Sequence, residues 1–433
     1  MTARPDPLPV SLVPWLDDGY RHIWMPYTQM QTAPPPLAVT ATKGSRITLA
    51  DGRQLIDGIA SWWSACHGYN HPHIRDAIVR QAGEMPHVML AGLANEPAFT
   101  LARRLADIAP GDLERVFFSE SGSVSVEIAM KMAAQYWRNN GQPGRTKFIC
   151  FDGAYHGDTI ATMAVGDPED GIHGRFAGLM GGQLHTNLPR DDNSRKRFEA
   201  FVTEHADQCA AVILEPLVQG AGGMVFHAPE TLKTVRETCD KHGLLLILDE
   251  IMTGLGRLGT LFASEQADVQ PDIMTLSKSL TGGSLPLAAT IASAAVFEAF
   301  LSDELDTAFM HGPTFTGNAL ACAAANASLD LFETEPRLEQ VNAIEAHLGT
   351  ALEPCRGMNG KWGKVRDVRV RGAIGVVEMD TITDMTALRA RFVEEGCWIR
   401  PFGNIVYLMP AFTIDEEDLA RLSGAIVKII GER

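Results

Sequence analysis

The chain predicts an α/β fold: a large domain built on a mostly parallel central sheet covered by helices, joined to a smaller α+β domain. Three observations predict it. Helical and strand signals alternate from about residue 72 to 335, as βαβ units require. The strand-like runs there are continuously apolar, as expected where helices cover both faces of a parallel sheet. The length of 433 residues exceeds what one simple core organises, so a second, smaller unit is expected.

The elements follow in order. The first 68 or so residues are rich in Pro and aromatics and hold short strand-like pieces, such as Arg46-Ile47-Thr48-Leu49 before a turn at Asp51-Gly52. Helical spacing predicts helices over 74–84, 98–108, 123–138, 230–242 and 317–333. Arg115–Phe118, Lys147–Phe151, Ala211–Leu214 and Leu244–Leu248 read as buried strands. After Glu335-Pro336 come a helix over 338–353, a strand over Gly372–Glu378, a helix over 385–395 and an amphipathic closing helix over 415–431. The division expected is 1–68 as an N-terminal segment, 69–336 as the large domain and 337–433 as the C-terminal small domain. No repeat or low-complexity linker interrupts the chain, so a boundary near 335 should be tightly packed.

Charge and composition narrow the function. A net charge of −16 disfavours nucleic acid and anionic membrane surfaces. No apolar run approaches the ~20 residues of a membrane span, and the start Met1-Thr2-Ala3-Arg4-Pro5-Asp6-Pro7 lacks the apolar stretch of a signal peptide. Seven scattered cysteines without a C-x-x-C point to reduced, mostly buried thiols. The expectation is a soluble cytoplasmic enzyme.

Lys278, in Thr275-Leu276-Ser277-Lys278, carries the chemistry together with Asp249, which ends the apolar run from Leu244. A lone lysine is usually a solvated surface charge. Lys278 instead follows an apolar stretch and precedes Thr281-Gly282-Gly283, and burial there would lower its pKa as imine chemistry requires. Asp249 stands at the carboxyl end of a predicted central strand, where open α/β sheets bind ligands. An amine and a carboxylate so placed could serve the two ends of one pyridoxal ring, the first holding the aldehyde carbon and the second keeping the ring nitrogen protonated. Ser119-Glu120-Ser121-Gly122-Ser123 is a small-residue turn opening a helix after a strand, a ready phosphate site. Tyr155, in Gly153-Ala154-Tyr155-His156-Gly157-Asp158, is positioned to lie flat on a ring bound at the strand ends.

Two other signals fail on context. Gly254-Leu255-Gly256-Arg257-Leu258-Gly259 matches a dinucleotide fingerprint, but five residues separate it from the apolar run, and only Thr260–Gln270 remain for its helix before Pro271. The histidines of His67-Gly68-Tyr69-Asn70-His71-Pro72-His73 lie in a Pro-broken loop without a carboxylate at ligand spacing, so turn histidines are expected rather than a metal site.

Ser121-Gly122-Ser123, Tyr155-His156-Gly157, Glu215-Pro216, Asp249-Glu250-Ile251, Thr253-Gly254-x-Gly256-Arg257 and Lys278 together resemble the class III aminotransferases, pyridoxal 5'-phosphate enzymes of fold type I. Arg21–Thr28, Ser61-Trp62-Trp63, His67–Pro72, Met310–Phe315 and Trp398–Gly403 narrow the likeness. They resemble the members of that family that serve biotin synthesis, moving an amino group from S-adenosyl-L-methionine to 8-amino-7-oxononanoate. The resemblance covers about residues 20 to 430. It implies that the N-terminal segment joins the small domain, that Lys278 is the Schiff-base lysine and that Asp249 is the partner of the ring nitrogen. Gly122 and Ser123 would bind the phosphate, and Tyr155 would stack on the ring. Pro313 and Thr314 would reach the phosphate of the other subunit of a homodimer with shared sites. Tyr27, Trp62, Trp63, Gly312 and Arg400 would line the substrate pocket with Tyr155 and Lys278. Tyr27 is implied in catalysis as well, and Tyr407 is a weaker pocket candidate. Arg400 suits a carboxylate bidentately, and paired indoles suit both an apolar chain and a sulfonium cation. Met252 stands where many members carry Gln against the ring hydroxyl. The nearest alternative is a relative of the same family using lysine or an ω-amino acid as donor; an aminomutase or a cofactor-sensing regulator stands further off.

Overall fold

The structure, a computed structural model, describes residues 13–167 and 173–433; the N-terminal stretch read for a leader lies outside them. At its centre is a seven-stranded sheet: β1 Leu113–Ser119, β2 Lys147–Phe151, β3 Leu184–Thr186, β4 Cys209–Leu214, β5 Leu245–Asp249, β6 Ile273–Leu276 and β7 Ala288–Ser293. Their order is β1-β7-β6-β5-β4-β2-β3. Only β7 runs antiparallel to its neighbours. This is a mixed, mostly parallel α/β sheet, as the sequence predicts.

Alternation within the apolar runs explains why both faces are buried. Leu245 and Ile247 pack with Val126, Ala129 and Ala133 of the helix Gly122–Asn139. Leu246 and Leu248 face the opposite way, against Phe198 and Val202 of Asp192–His205 and Leu232 and Val235 of Pro229–His242. Each strand residue thus removes apolar surface from water on one face or the other, worth ~25 cal/mol per Å².

The predicted helices form, with ends set by local chemistry. The helix expected over 74–84 starts at Pro72, the residue best suited to a first turn. That expected over 317–333 begins only at Ala319, because Gly317 takes φ +60° and the Asn318 side chain accepts from the Ala321 N–H. The closing helix spans Glu416–Ile430, capped by Asp415. Strands β6 and β7 carried no clear signal: four residues show little period, and Ala-Ala-Thr-Ile-Ala-Ser is dominated by alanine. The helix Asp192–His205 is also unpredicted, because few of its residues are apolar.

Strands from the first sixty residues join one from the C-terminal part. Val39–Lys43, Arg46–Leu49 and Gln54–Asp57 form a sheet whose fourth strand is Cys397–Trp398, with Trp398 opposite Asp57. One apolar cluster combines Ile56 and Cys66 with Phe392, Val406, Leu422 and Ile426. Residues 333–336 are exposed, while Arg337 just beyond them is buried and its Nε donates to His67 Nδ1 at 3.0 Å.

Candidate active site

Five of the central strands end on one side of the sheet, and each delivers a group to a single cavity of about 160 Å³. β1 is followed by Ser121, Gly122 and Ser123; β2 by Tyr155, His156 and Gly157; β4 by Glu215. β5 ends in Asp249, and β6 runs into Ser277 and Lys278. Lys278 and Asp249, distant in sequence, therefore open onto the same space. Ligands bind at the carboxyl ends of open α/β sheets because strand-end loops converge there.

Asp249 is 4% exposed. Its Oδ2 accepts from His156 Nδ1 at 2.7 Å, and its Oδ1 from the Ile251 N–H at 3.1 Å and Thr275 Oγ1 at 3.3 Å. Burial alone would depress the His156 pKa, but the Asp249 hydrogen bond and the charges of Asp249 and Glu215 outweigh it and raise it. His156 Nε2, buried in the same site, has no partner among the described residues. Glu215 accepts the Gly220 N–H at 2.8 Å and the Tyr155 N–H at 3.1 Å, and burial pushes its carboxyl up to about 7. Lys278 takes φ +35° at the start of a tight turn, and its Nζ lies 4.9 Å from the centre of the Trp63 ring. Burial lowers its pKa, though Asp249 and Glu215 pull the other way.

The helix Gly122–Asn139 points its N-terminus into the cavity, where the first N–H groups lack intrahelical acceptors. Close approach is built from glycine. A Cβ on Gly157, at φ +130°, would stand 2.1 Å from Ser123 Oγ, and one on Gly122 3.0 Å from Ile251 Cδ1. The Asp158 N–H donates to Ser123 Oγ at 3.2 Å.

The expected substrate residues join from outside this cradle. Tyr155 lines the cavity with one face stacked on His173, centroids 5.6 Å apart. The Tyr27 hydroxyl donates to Asp158 Oδ2, and Tyr27 meets Trp62 edge-on at 6.1 Å. Arg400 lies over the Trp62 ring at 4.8 Å. Trp63 lines the cavity, and its Nε1–H donates to Tyr407 Oη at 3.1 Å, which places Tyr407 behind the wall rather than in it. Gly312, Pro313 and Thr314 do not line their own chain's cavity, and Gly312 and Thr314 are exposed.

The two indoles stand on an unusual backbone. Ala60, Ser61, Trp62 and Trp63 take φ of +45°, +51°, +59° and +74°, a left-handed turn without glycine. Such residues cost about 1–2 kcal/mol each. Asp57, 1% exposed, holds the turn: it accepts the Ile59 N–H at 2.9 Å, the Ser61 N–H at 2.8 Å and Tyr69 Oη at 2.6 Å. These three hydrogen bonds oppose that strain, although burial outweighs them in setting the Asp57 carboxyl's pKa and raises it.

His156, Glu215, Asp158 and Asp57 were given no role from sequence. His156 follows Tyr155 at a strand end, which is the signal that could have found it; for Asp57 none existed. His67 is fixed between Arg337 and Ser328 Oγ, at 3.0 Å each, with burial and the Arg337 charge pushing it down to about 3. The glycine run 254–259 leads only into the short 3-10 turn Ala263–Ala267, so the helix a dinucleotide fingerprint needs does not follow it.

A strand-end lysine and carboxylate sharing a cavity with a helix N-terminus define a pyridoxal-phosphate type of site, and the profile of the Aminotransferase class-III family matches residues 27–430. The chain belongs to that family. It is 43% identical to the adenosylmethionine-8-amino-7-oxononanoate aminotransferase of Mycobacterium leprae (strain TN) over 95% of each chain. The crystal structure of the enzyme of that name from Methanocaldococcus jannaschii DSM 2661 superimposes with a TM-score of 0.90 at 33% identity, covering 96% of this chain and 98% of its own. An amine transaminase from an uncultivated Pseudomonas species, in a PLP-bound form, gives 0.86 at 30% identity, covering 94% and 97%.

Proposed function

We propose that the chain transfers the α-amino group of S-adenosyl-L-methionine to 8-amino-7-oxononanoate, giving 7,8-diaminononanoate for biotin synthesis, with pyridoxal 5'-phosphate held through Lys278. One observation carries the reading: Lys278 and Asp249 open onto the same cavity, opposite a helix N-terminus. The residues fit the cofactor. Gly157 and Gly122 leave room that a Cβ would fill, and His156 Nε2 is a buried polar atom without a partner among the described residues. Gly122 and Ser123 would hold the phosphate, Tyr155 the ring face and Asp249 the ring nitrogen. Bound there, the cofactor supplies an aldehyde carbon that exchanges amines and a ring that accepts the electron pair released with a substrate proton.

The chain's own groups do the rest. Lys278, its ammonium destabilised by burial, would take and return the substrate's proton at Nζ. His156 donates to Asp249 Oδ2 and fixes the carboxylate's orientation. Arg400 offers a fork to a substrate carboxylate. Trp62 and Trp63 give an apolar wall for the keto acid's chain and a π face for a sulfonium. Tyr27, tied to Asp158 and edge-on to Trp62, would border the same pocket.

We further propose a homodimer in the cytoplasm. Trp24, Leu305 and Met310 are 88%, 74% and 72% exposed, apolar side chains that a partner subunit would cover. Gly312–Thr314 would then serve the partner's site. No helix among the described residues is long and apolar enough to cross a membrane, and all seven cysteines are unpaired and buried.

The test is to add S-adenosyl-L-methionine alone to the holoenzyme and follow the cofactor's visible band. Loss of that band, its return on adding 8-amino-7-oxononanoate, and loss of covalently held cofactor in Lys278→Ala are expected. Conversion by lysine or an ω-amino acid but not by S-adenosyl-L-methionine would overturn the donor assignment.

A further inference from the structure

We propose that Asp57 is a positioning residue for the substrate pocket: its carboxylate holds residues 60–63 in their left-handed turn and so fixes where the Trp62 and Trp63 indoles stand. The inference rests on the reading above that these indoles wall the pocket.

The sequence provides no glycine between Ala60 and Trp63, so the turn is unfavourable by itself and needs an external hold. The turn's own bonds run from the Trp63, Ser64 and Ala65 N–H groups to the Ile59, Ala60 and Ala60 carbonyls at 2.8, 2.9 and 3.0 Å and from Ser64 Oγ to the Ser61 carbonyl at 2.9 Å, and none of them engages the Ile59 or Ser61 N–H. The Ile59 and Ser61 N–H groups both point to Asp57. Asp57 does not line the cavity, so it acts only through what it holds.

What it holds connects three parts of the site. Asp57 ends the strand Gln54–Asp57, opposite Trp398 of the short strand that leads to Arg400. Arg400 lies over Trp62, the outer indole. Trp63, the inner indole, faces the Lys278 ammonium, and its carbonyl accepts from Ser279 Oγ at 3.4 Å, one residue beyond that lysine. A shift of the turn would therefore move the pocket wall relative to both the carboxylate-binding arginine and the lysine.

Asp57→Asn tests this. The amide keeps the shape but replaces one acceptor oxygen by a donor, so that a donor faces either Ile59 N–H or Ser61 N–H. In the holoenzyme we expect KM for both substrates to rise about tenfold, the fold-change of one lost charge-assisted hydrogen bond. kcat should change less than about threefold and the cofactor band should persist, because phosphate and ring contacts are elsewhere. The near-ultraviolet circular dichroism of the tryptophans should change without substrate. Adding Ser61→Gly, which removes the steric penalty at φ +51°, should restore part of both signals. Tyr69→Phe, which removes only the third bond, should raise KM by a smaller factor and serves if Asp57→Asn does not fold. Unaltered KM and dichroism in the variants, or a fall in kcat and cofactor retention with KM unchanged, would overturn the proposal. Should the wild type not turn over this substrate pair, the functional reading falls, while dichroism of Asp57→Asn with and without Ser61→Gly still decides this one.

Discussion

Glu215→Gln should be destabilising in acid and neutral to stabilising above pH 7. In the folded chain the Glu215 carboxyl titrates at about 7, against an ordinary value of 4.5, because burial disfavours its charge. Below 4.5 both folded and unfolded chains hold the proton and the group contributes nothing. Between 4.5 and 7 the unfolded chain releases the proton first, so stability falls as pH rises. At 1.36 kcal/mol per unit, the loss reaches about 3 kcal/mol near pH 7 and stays there. Glutamine cannot ionise and escapes that loss. It pays instead at every pH, because its amide turns a donor toward the Gly220 or Tyr155 N–H, costing about 1–3 kcal/mol. The gap between variant and wild type should thus move by about 3 kcal/mol in the variant's favour between pH 4.5 and 7.5. His156, whose pKa is raised in part by the Glu215 charge, contributes stability below 6.5 that is also lost as pH rises, so the difference between the two proteins reports Glu215 together with its share of the His156 shift. Urea midpoints of the cofactor-free proteins at one fixed concentration measure it. A gap that does not change with pH would mean that Glu215 titrates as an ordinary carboxylate, and the electrostatic account of the cavity would fail.

Two further outcomes follow from the geometry. Gly157→Ala places a methyl 2.1 Å from Ser123 Oγ and 2.9 Å from its backbone Cα, at a φ that side chains rarely adopt; with overpacking worth ~1–3 kcal/mol, equilibrium dialysis should show cofactor retention at least about tenfold weaker, and wild-type retention would remove Ser123 from the phosphate cradle. Arg400→Lys keeps the charge but loses the planar fork, so KM for the carboxylate substrates should rise about tenfold or more with the cofactor band unchanged; an unchanged KM would place their carboxylates elsewhere.

The fold was legible where burial writes itself into short apolar runs. Leu244–Leu248 and Ala211–Leu214 are strands because the centre of a sheet covered on both faces has no polar side to alternate with. β7 was illegible for the complementary reason. Its Ala288–Ser293 run uses small residues to let the helix Gly122–Asn139 approach, as Thr290 Oγ1 shows by donating to the Ser125 carbonyl at 2.8 Å, and small residues carry no strand preference. That strand nonetheless decides the architecture, since it alone reverses direction and sets β1 beside β6 only through itself.

In the site, the boundary of legibility falls between groups that identify a chemistry and groups that hold those groups still. Lys278, Asp249 and the Ser121–Ser123 turn could be picked out because each follows an apolar run, and strand ends are where a sheet's ligands sit. The strand-end place of His156 beside Tyr155 marks it for the site, but its role depends on the 2.7 Å contact with a residue more than ninety positions away, which no local pattern encodes. The left-handed turn is the extreme case. Glycine is the sequence mark of such a backbone, and Ala60-Ser61-Trp62-Trp63 omits it, so propensity argues against the conformation adopted. The two tryptophans require side chains where glycine would be easiest, and the conflict is resolved by a buried carboxylate outside the turn. A strained segment that bears the pocket's largest side chains is fixed from behind: with Asp57 in place the turn is already held, so relieving its strain with glycine adds nothing to where the indoles stand. Ser61→Gly in an otherwise wild-type chain should therefore be tolerated in stability without improving substrate binding.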